Sequence, residues 1–153
     1  MISSRKLEDL VPAVEALAKA HIAACAAEGI ALLVYCTYRD FEAQDALYAQ
    51  GRKTAGAIVT NARGGDSYHN YRCAYDCVPL VQGKPAWNDQ KLYARVGALG
   101  ESLGLSWSGR WSGKLKETAH FQYTGGLSLQ DLKAGKQIPA SSSTVAQDSI
   151  ANS

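Results

Sequence analysis

Four side chains that can bind or activate a metal-bound water lie in two short segments of this 153-residue chain. His69 and Asp76 belong to the first segment, and Glu117 and His120 belong to the second. Two imidazoles and one carboxylate make a ligand set suited to Zn²⁺, with the fourth tetrahedral position left for water. Glu117 would then be the base that deprotonates this water. The chain holds only three histidines, and two of them fall in these segments.

The spacing of these residues also allows a plainer interpretation. His69 and Asp76 would then form an ordinary hydrogen-bonded pair, and His120 would lie on the surface. Glu117 follows closely on two lysines and would be a solvated charge in a loop. Spacing alone leaves the two interpretations about evenly balanced, because a histidine and an aspartate at this separation are a weak signal.

Strand geometry gives an independent test of the ligand set. If residues 73–81 form a strand, Ala74 and Asp76 share one face while Cys73 and Cys77 share the other. The small side chain of Ala74 leaves room beside Asp76 for a metal or a substrate. This geometry favours a His/His/Asp site over one that contains cysteine, because the two cysteines point away from it.

The elements that must position these residues follow from the hydrophobic pattern. Apolar residues at intervals of three and four predict amphipathic helices, and apolar β-branched runs predict buried strands. Residues 51–66 carry four glycines and few large apolar groups, so they form a long loop of the kind that is usually functional. Residues 82–85 predict a turn. The predicted helices span 7–28, 41–50 and 89–103, with a short one after Ser128, and the predicted strands span 30–36, 73–81, 105–107 and 120–123.

Length and composition predict one globular domain, residues 1–136, followed by a disordered tail over 137–153 that is rich in Ser, Ala and Thr. The net charge of +2 and the absence of a Lys/Arg run argue against a nucleic-acid partner. No stretch is apolar enough to cross a membrane, and the N-terminal residues do not resemble a signal peptide. We therefore expect the protein to stay in the cytoplasm of the cell that makes it, as a monomer.

The four cysteines first suggest a disulfide pair or a cysteine-rich metal site. Within a strand, however, Cys73 and Cys77 would be separated by roughly 13 Å, which is too far for a disulfide. We expect Cys25, Cys36, Cys73 and Cys77 to be reduced thiols that pack as small apolar groups. The third histidine, His21, lies beside the apolar stripe of the first helix and is expected to be a partly buried residue with one hydrogen bond.

The two segments resemble the metal-binding signature of the zinc D-Ala-D-Ala and L-Ala-D-Glu peptidases, S-x-H-x-x-G-x-A-x-D followed by E-x-x-H-F. This family includes phage endolysins, vancomycin-resistance D,D-peptidases and, by fold, the Hedgehog signalling domain. A further stretch is similar to the Y-R-x-x-x-x-Q-x-x-L-Y-x-x-G-R motif of the phage and bacterial members. The matching residues are Ser67, His69, Ala74, Asp76, Glu117, His120 and Phe121, and then Tyr38, Arg39, Gln44, Leu47, Tyr48, Gly51 and Arg52.

The resemblance implies an α+β fold in which helices pack on a small, mainly antiparallel sheet that carries the zinc. It implies that Zn²⁺ binds to His69, Asp76 and His120, and that Glu117 is the catalytic acid and base. It also implies that Arg39 fixes a substrate carboxylate or the developing oxyanion, although a salt bridge from Arg39 to Asp40 or Glu42 is an alternative. Ser67 and Gln44 are supporting or substrate-binding positions, although an exposed helix glutamine is an equal alternative for Gln44. Trp111 is a further candidate for substrate binding: Trp107 and Trp111 lie near the second segment and either wall the groove or close the core.

The implied activity is hydrolysis of a peptide bond in peptidoglycan stem peptides, most simply by a phage-type L-alanyl-D-glutamate endopeptidase. Without a signal peptide, such an enzyme would reach the wall through a holin-type, membrane-permeabilising partner. A D-Ala-D-Ala carboxypeptidase is an alternative with the same chemistry. A zinc-stabilised binding module without catalysis is an alternative of another class, and a structural protein without metal is a third.

Two arginines depart from the family pattern. Arg72 stands where the family has glycine, and Arg110 stands between Trp107 and Trp111, where many relatives carry an acidic residue. If the strand extends back to Arg72, its side chain shares the face of Asp76. We therefore predict that Arg72 reaches the rim of the groove and contributes to substrate binding.

Overall fold

The computed structural model describes residues 1–112 and 117–140, which form an α+β fold with helices packed on one antiparallel sheet. The predicted fold class is therefore confirmed. Strand order in the sheet is β1-β2-β5-β4, and β3 pairs with β2. The strands are β1 Ala31–Cys36, β2 Ala74–Val81, β3 Lys84–Pro85, β4 Ser106–Trp107 and β5 His120–Gln122. The helices are α1 Pro12–Ala27, α2 Phe41–Ala49, α3 Gln90–Ser102 and α4 Leu129–Lys133.

Strand β2 lies between β1 and β5 and separates the core from the candidate site. Tyr75 and Cys77 point into the core, where both are fully buried, whereas Asp76 points to the opposite face. Cys73 also lies in this core, so the predicted alternation along the strand is confirmed. All four cysteines are buried free thiols, as predicted.

The sheet register brings distant parts of the chain to the same place. In the antiparallel pair of β2 and β5, Asp76 lies directly opposite His120. On the other side of β2, a register shift between Val34 and Cys36 places Cys36 opposite Asp76. This β-bulge inserts Tyr35 as an extra residue in β1, and such bulges change the direction of side chains beside many functional sites.

Local sequence signals explain where the helices begin and end. Pro12 occupies the first turn of α1, where its missing N–H costs no hydrogen bond. The predicted start at residue 7 is wrong because Leu7–Asp9 forms a separate 3₁₀ turn before Pro12. Asp40 caps α2 by accepting a hydrogen bond from the Ala43 N–H at 2.8 Å, as expected for an N-cap aspartate.

Two other predictions need correction. Residues 84 and 85 form β3, which pairs with β2 in a hairpin, so only part of the predicted 82–85 turn is a turn. Ile138 packs in the core with 7% of its surface exposed, so the packed chain extends past the predicted boundary at residue 136. The rest of the predicted tail, residues 141–153, lies outside the described residues. No helix within the described ranges is long and apolar enough to cross a membrane.

Candidate metal and catalytic site

The fold brings His69, Asp76 and His120 into direct contact. The Nε2 atom of His69 and the Nδ1 atom of His120 each lie 3.2 Å from Oδ1 of Asp76. The two imidazole rings meet edge to face, with their centroids 5.0 Å apart. Both histidines are buried, and Asp76 is only 16% exposed. The three predicted metal ligands therefore meet at the carboxylate of Asp76, which both imidazoles contact.

A short 3₁₀ turn, Tyr68–Tyr71, determines the position of His69. The Ser67 hydroxyl caps this turn by accepting a hydrogen bond from the His69 N–H at 3.3 Å. Asn70 completes a capping box and also donates to the backbone carbonyl of Arg39 at 2.8 Å. Ser67 thus supports the site by hydrogen bonding, as predicted, and it also lines the adjoining cavity.

The outer nitrogen of each imidazole is committed to an acceptor that lies away from Asp76. His69 Nδ1 donates to the carbonyl of Thr37 at 2.9 Å, and His120 Nε2 donates to Oε1 of Gln122 at 2.8 Å. In the neutral imidazoles the inner nitrogens then carry lone pairs, so both present an acceptor to the Asp76 carboxylate and the cluster needs a proton or a metal ion. Metal-binding histidines in proteins typically have this second hydrogen bond. The donor set therefore fits Zn²⁺.

Gln122 was not identified from the sequence, although a signal for it was present. It lies two residues after His120 in β5, so both side chains share a face of the sheet. It is buried, with 8% of its surface exposed. A buried polar residue at this spacing from a metal ligand is a candidate for orienting that ligand.

The pKa shifts of His69 and Asp76 also indicate that this cluster favours a positive charge. Burial lowers the pKa of His69, but the carboxylate of Asp76 and the thiol of Cys36 outweigh it and raise that pKa to about 10. Burial raises the pKa of Asp76, yet the two imidazoles bring it well below its usual range. The carboxylate therefore stays ionised although it is buried, and a cation at this position would stabilise it.

Glu117 lies beside the ligands without joining them. Its Oε2 atom is 3.8 Å from Nδ1 of His120, and 59% of its side chain is exposed. Its backbone N–H donates to the carbonyl of Ser108, and its carbonyl accepts from the N–H of His120. The carboxylate therefore has access to both solvent and the metal position, as a proton carrier needs. Glu117 is thus a largely solvated charge, as in the plainer interpretation, but it lies within 3.8 Å of the ligand His120.

Arg39 lines the cavity and binds two neighbours through its guanidinium. Its Nη1 donates to Oε1 of Gln44 at 2.8 Å, and its Nη2 donates to Sγ of Cys36 at 3.1 Å. Among the described residues, no ion pair joins Arg39 to Asp40 or Glu42, so that alternative is not observed. Gln44 is fully buried, and the alternative of an exposed helix glutamine is wrong.

Cys36 is the unexpected neighbour of the site. The bulge in β1 turns it toward Asp76, so the expectation that Cys36 packs only as a small apolar group is wrong. Its Sγ lies within 4.8 Å of ligand atoms of His69 and Asp76. Its contact with His69 is to Nδ1, at 3.7 Å, and that nitrogen already donates to Thr37. The His/Asp/His set therefore remains the better metal site, with Cys36 beside it.

The ligands open onto a cavity of about 840 Å³. Val59, Thr60, Asn61 and Ala62 of the predicted long loop form part of its wall, together with Trp111. The Trp111 ring centroid is 6.1 Å from that of His120, so this tryptophan belongs to the groove. Trp107, in contrast, is buried in the core and stacks on Phe121. The structure thus resolves the alternatives for the two tryptophans in different ways.

Neither unusual arginine lines the cavity. Arg72 has φ 61° and ends the 3₁₀ turn outside β2, so the predicted position on the Asp76 face is wrong. Its guanidinium lies 3.7 Å from the ring centroid of Tyr38 and donates to the carbonyl of Asp9 at 3.0 Å. Arg110 pairs with Glu101 at 3.0 Å. Arg72 therefore does not reach the rim of the cavity, and Arg110 points to Glu101 on the surface.

Comparison with known proteins gives one family and several relatives. Residues 8–126 match the VanY family, described as D-alanyl-D-alanine carboxypeptidase. The peptidoglycan L-alanyl-D-glutamate endopeptidase CwlK of Bacillus subtilis (strain 168) is 37% identical over 123 residues. That alignment covers 74% of this chain and 73% of CwlK.

Solved structures share the fold at low sequence identity. The L-Ala D-Glu endopeptidase ChiX of Serratia marcescens superposes with a TM-score of 0.60 and 19% identity, over 86% of this chain and 92% of ChiX. The vancomycin-resistance D,D-pentapeptidase VanY from a VanB-type cassette, solved with Zn(II), gives a TM-score of 0.55 and 16% identity. This second match covers 79% of this chain and 76% of that protein.

Proposed function

This chain belongs to the VanY family of D-alanyl-D-alanine carboxypeptidases and is a peptidoglycan-hydrolysing metallopeptidase, and we propose that it cleaves the L-alanyl-D-glutamate bond of stem peptides. The choice of bond is supported by the 37% identity to CwlK, which extends over 123 residues. Cleavage of a terminal D-Ala-D-Ala bond is the second candidate, because the family description names that reaction.

One observation carries the metal chemistry: two imidazole lone pairs converge with one ionised carboxylate. Nε2 of His69, Nδ1 of His120 and the carboxylate of Asp76 would hold Zn²⁺. Zn²⁺ held by these residues would supply a Lewis acid that polarises the scissile carbonyl and makes the attacking water more acidic. Thr37 and Gln122 fix the tautomers that leave these nitrogens free to bind it.

The remaining steps are assigned to residues of the chain. Glu117 accepts a proton from the attacking water and delivers it to the leaving amine, since its carboxylate faces the site from an exposed position. Arg39 binds a substrate carboxylate or the developing negative charge with its fork of N–H donors. The stem peptide lies in the cavity between Trp111 and the wall formed by residues 59–62.

Mass analysis of digested peptidoglycan distinguishes the two bonds. We expect the purified protein to cleave after L-alanine, which stays attached to muramic acid, and to release a peptide that begins with D-glutamate. Loss of one terminal D-alanine from pentapeptide stems would instead establish the carboxypeptidase. Release of no new amino groups, with zinc bound, would establish the non-catalytic binding module.

Replacement of the proposed base separates catalysis from metal binding. Glu117→Gln should keep the zinc content of the parent and lose roughly 10²- to 10⁴-fold in hydrolysis, the range for a general acid–base. His120→Ala, in contrast, should lose zinc and hydrolysis together. Hydrolysis by Glu117→Gln at the rate of the parent would refute the assignment of Glu117.

We also propose that the biological setting is phage lysis, with a holin-type partner that opens the membrane. The support is the similarity of residues 38–52 to the stretch shared by phage and bacterial members of the family. In this setting, bacteria that express the protein should lyse only after an added membrane-permeabilising agent. Lysis without that agent would contradict the proposal.

A further inference from the structure

Gln44 connects the proposed substrate-binding arginine to the wall of the cavity. Its Oε1 accepts a hydrogen bond from Nη1 of Arg39 at 2.8 Å. Its Nε2 donates to the carbonyl of Ala62 at 2.9 Å and lies 3.4 Å from Oγ1 of Thr60. Arg39, Thr60 and Ala62 all line the cavity, whereas Gln44 itself is fully buried behind them.

The chemistry of the neighbours determines the orientation of the Gln44 carboxamide. A guanidinium only donates hydrogen bonds and a backbone carbonyl only accepts them, so the amide oxygen must face Arg39 and the amide nitrogen must face Ala62. A carboxylate at this position would keep the first contact and lose the second. An apolar side chain of similar length would lose both.

The guanidinium of Arg39 has few other restraints. Nη2 donates to the sulfur of Cys36 at 3.1 Å, which is a weak acceptor. Nε is buried and has no hydrogen-bond partner among the residues that the structure describes. The short contact to Gln44 is therefore the strong restraint on the direction of the fork, and small errors in such directions reduce catalysis severely.

We propose that Gln44 is a positioning residue that fixes the Arg39 guanidinium relative to the Thr60–Ala62 wall. Gln44 does not contact the substrate, and its whole effect on hydrolysis passes through Arg39. The inference rests on the proposed function for the role of Arg39 in the reaction. The geometric part, that Gln44 restrains the guanidinium, does not depend on which bond is cut.

A double-mutant cycle on stem-peptide hydrolysis tests this dependence. Gln44→Met should lower kcat/KM roughly 10- to 100-fold in the parent, as expected for a displaced binding group. In an Arg39→Ala background the same substitution should have almost no further effect, because residues that act as one unit are not additive. An equal loss in both backgrounds would overturn the proposal and would indicate a merely structural glutamine.

Gln50 offers a matched control for attachment of the loop. It is also a glutamine, it follows directly after α2, and its Nε2 donates to the carbonyl of Ala57 at 3.0 Å. Unlike Gln44 it lines the cavity itself, but it makes no hydrogen bond to Arg39 among the described contacts. Gln50→Met should therefore change kcat/KM by the same factor with and without Arg39→Ala. If Gln44→Met does not fold, Gln44→Leu replaces it in the cycle under the same criterion, because its apolar side chain also loses both contacts.

A measurement without substrate separates the two hypotheses. In ¹⁵N NMR of the zinc-bound protein, the Nη signals of Arg39 should be separate in the parent, because its guanidinium rotates slowly. In Gln44→Met, faster rotation should average them. A parent protein that shows restrained Arg39 but hydrolyses no stem peptide would refute the proposed function and leave the positioning role in place. Identical Arg39 signals in both proteins would refute the positioning role itself.

Discussion

The two faces of β2 both bury a histidine, but they surround it with opposite chemistry. On the core face, His21 is fully buried and meets two neutral partners. Its Nε2 donates to the carbonyl of Val96 at 2.8 Å, so its Nδ1 accepts from the hydroxyl of Tyr75 at 2.7 Å. On the other face, His69 is almost as deeply buried, yet its Nε2 faces the carboxylate of Asp76 at 3.2 Å.

This difference determines what each face can do. Burial lowers the pKa of His21, so the core face contains a neutral histidine whose hydrogen bonds are complete. Burial also lowers the pKa of His69, but the attraction of Asp76 outweighs it and raises that pKa to about 10. On the core face both nitrogens of His21 have hydrogen-bond partners without any ion. On the other face, the Asp76 carboxylate and the imidazoles beside it need a positive charge. Burial alone therefore does not identify a functional histidine; the partner of each nitrogen does.

The largest expected effect comes from removing the carboxylate of Asp76. Asp76→Asn should abolish zinc binding and reduce hydrolysis to background, because the neutral amide no longer supplies the charge that offsets Zn²⁺. Cys77→Ala is the matched control, since it alters the next residue of β2 on the core face. It should lower stability and keep one zinc per chain in elemental analysis. Equal zinc content in Asp76→Asn and the parent would contradict the ligand assignment.

The corresponding change on the core face should affect stability alone. His21→Leu leaves the hydroxyl of Tyr75 and the carbonyl of Val96 without their partner in a dry environment. We expect the free energy of unfolding to fall by about 1–3 kcal/mol, with zinc content unchanged. Urea denaturation and elemental analysis of the same preparations measure both quantities. Loss of zinc in a folded His21→Leu protein would show that the two faces are coupled.

The dependence of stability on pH should distinguish His21 further. Because burial lowers its pKa, native His21 binds fewer protons than the unfolded chain, whose histidine titrates near 6.5. Its contribution to stability is therefore complete above this pH and decreases as the pH falls below it. His21→Gln removes this titration, so its unfolding free energy should fall less steeply than that of the parent between about pH 6.5 and 5. Parallel curves would contradict a neutral buried His21.

The sequence predicted those parts of the site that depend on regular strands. Period-two alternation along residues 73–81 placed Asp76 opposite the core cysteines, and the structure confirms this arrangement. The pairing of Asp76 with His120 follows once β2 and β5 are neighbours in the sheet. These inferences succeed because the side-chain direction in a strand is set by local geometry.

Irregular backbone explains what the sequence could not provide. The bulge at Tyr35 moves Cys36 to the metal face, and no local pattern in residues 30–36 marks it. The left-handed conformation of Arg72 ends the alternation of side chains, so the two-residue period does not extend from Asp76 back to Arg72. The hydrogen bonds that connect Arg39 to Ala62 through Gln44 depend on the path of the loop that contains Ala62, and this loop has no regular secondary structure. Each of these features depends on contacts between segments that are distant in the chain.

The smallest expected effect comes from Arg72, whose backbone conformation favours glycine. Replacement by glycine removes a left-handed strain of roughly 1–2 kcal/mol. It also adds backbone entropy to the unfolded chain, worth about 0.5–1 kcal/mol, and loses the cation–π contact with Tyr38, worth about 0.5–1 kcal/mol at an exposed site. The exposed hydrogen bond from Arg72 to the Asp9 carbonyl is lost as well. The gains and losses are of similar size, so the stability of Arg72→Gly should stay within about 1 kcal/mol of the parent.

Gln82 is the matched control for this balance, because within residues 1–112 and 117–140 it is the other non-glycine residue at positive φ, at 53°. Its side chain is exposed and makes no hydrogen bond among the described residues. Gln82→Gly therefore relieves strain without losing a contact, and it should unfold at a higher temperature than both the parent and Arg72→Gly.

The KM of Arg72→Gly for stem peptides should equal that of the parent, because the guanidinium lies on Tyr38 and away from the cavity. A raised KM with unchanged kcat would show that Arg72 binds substrate after all.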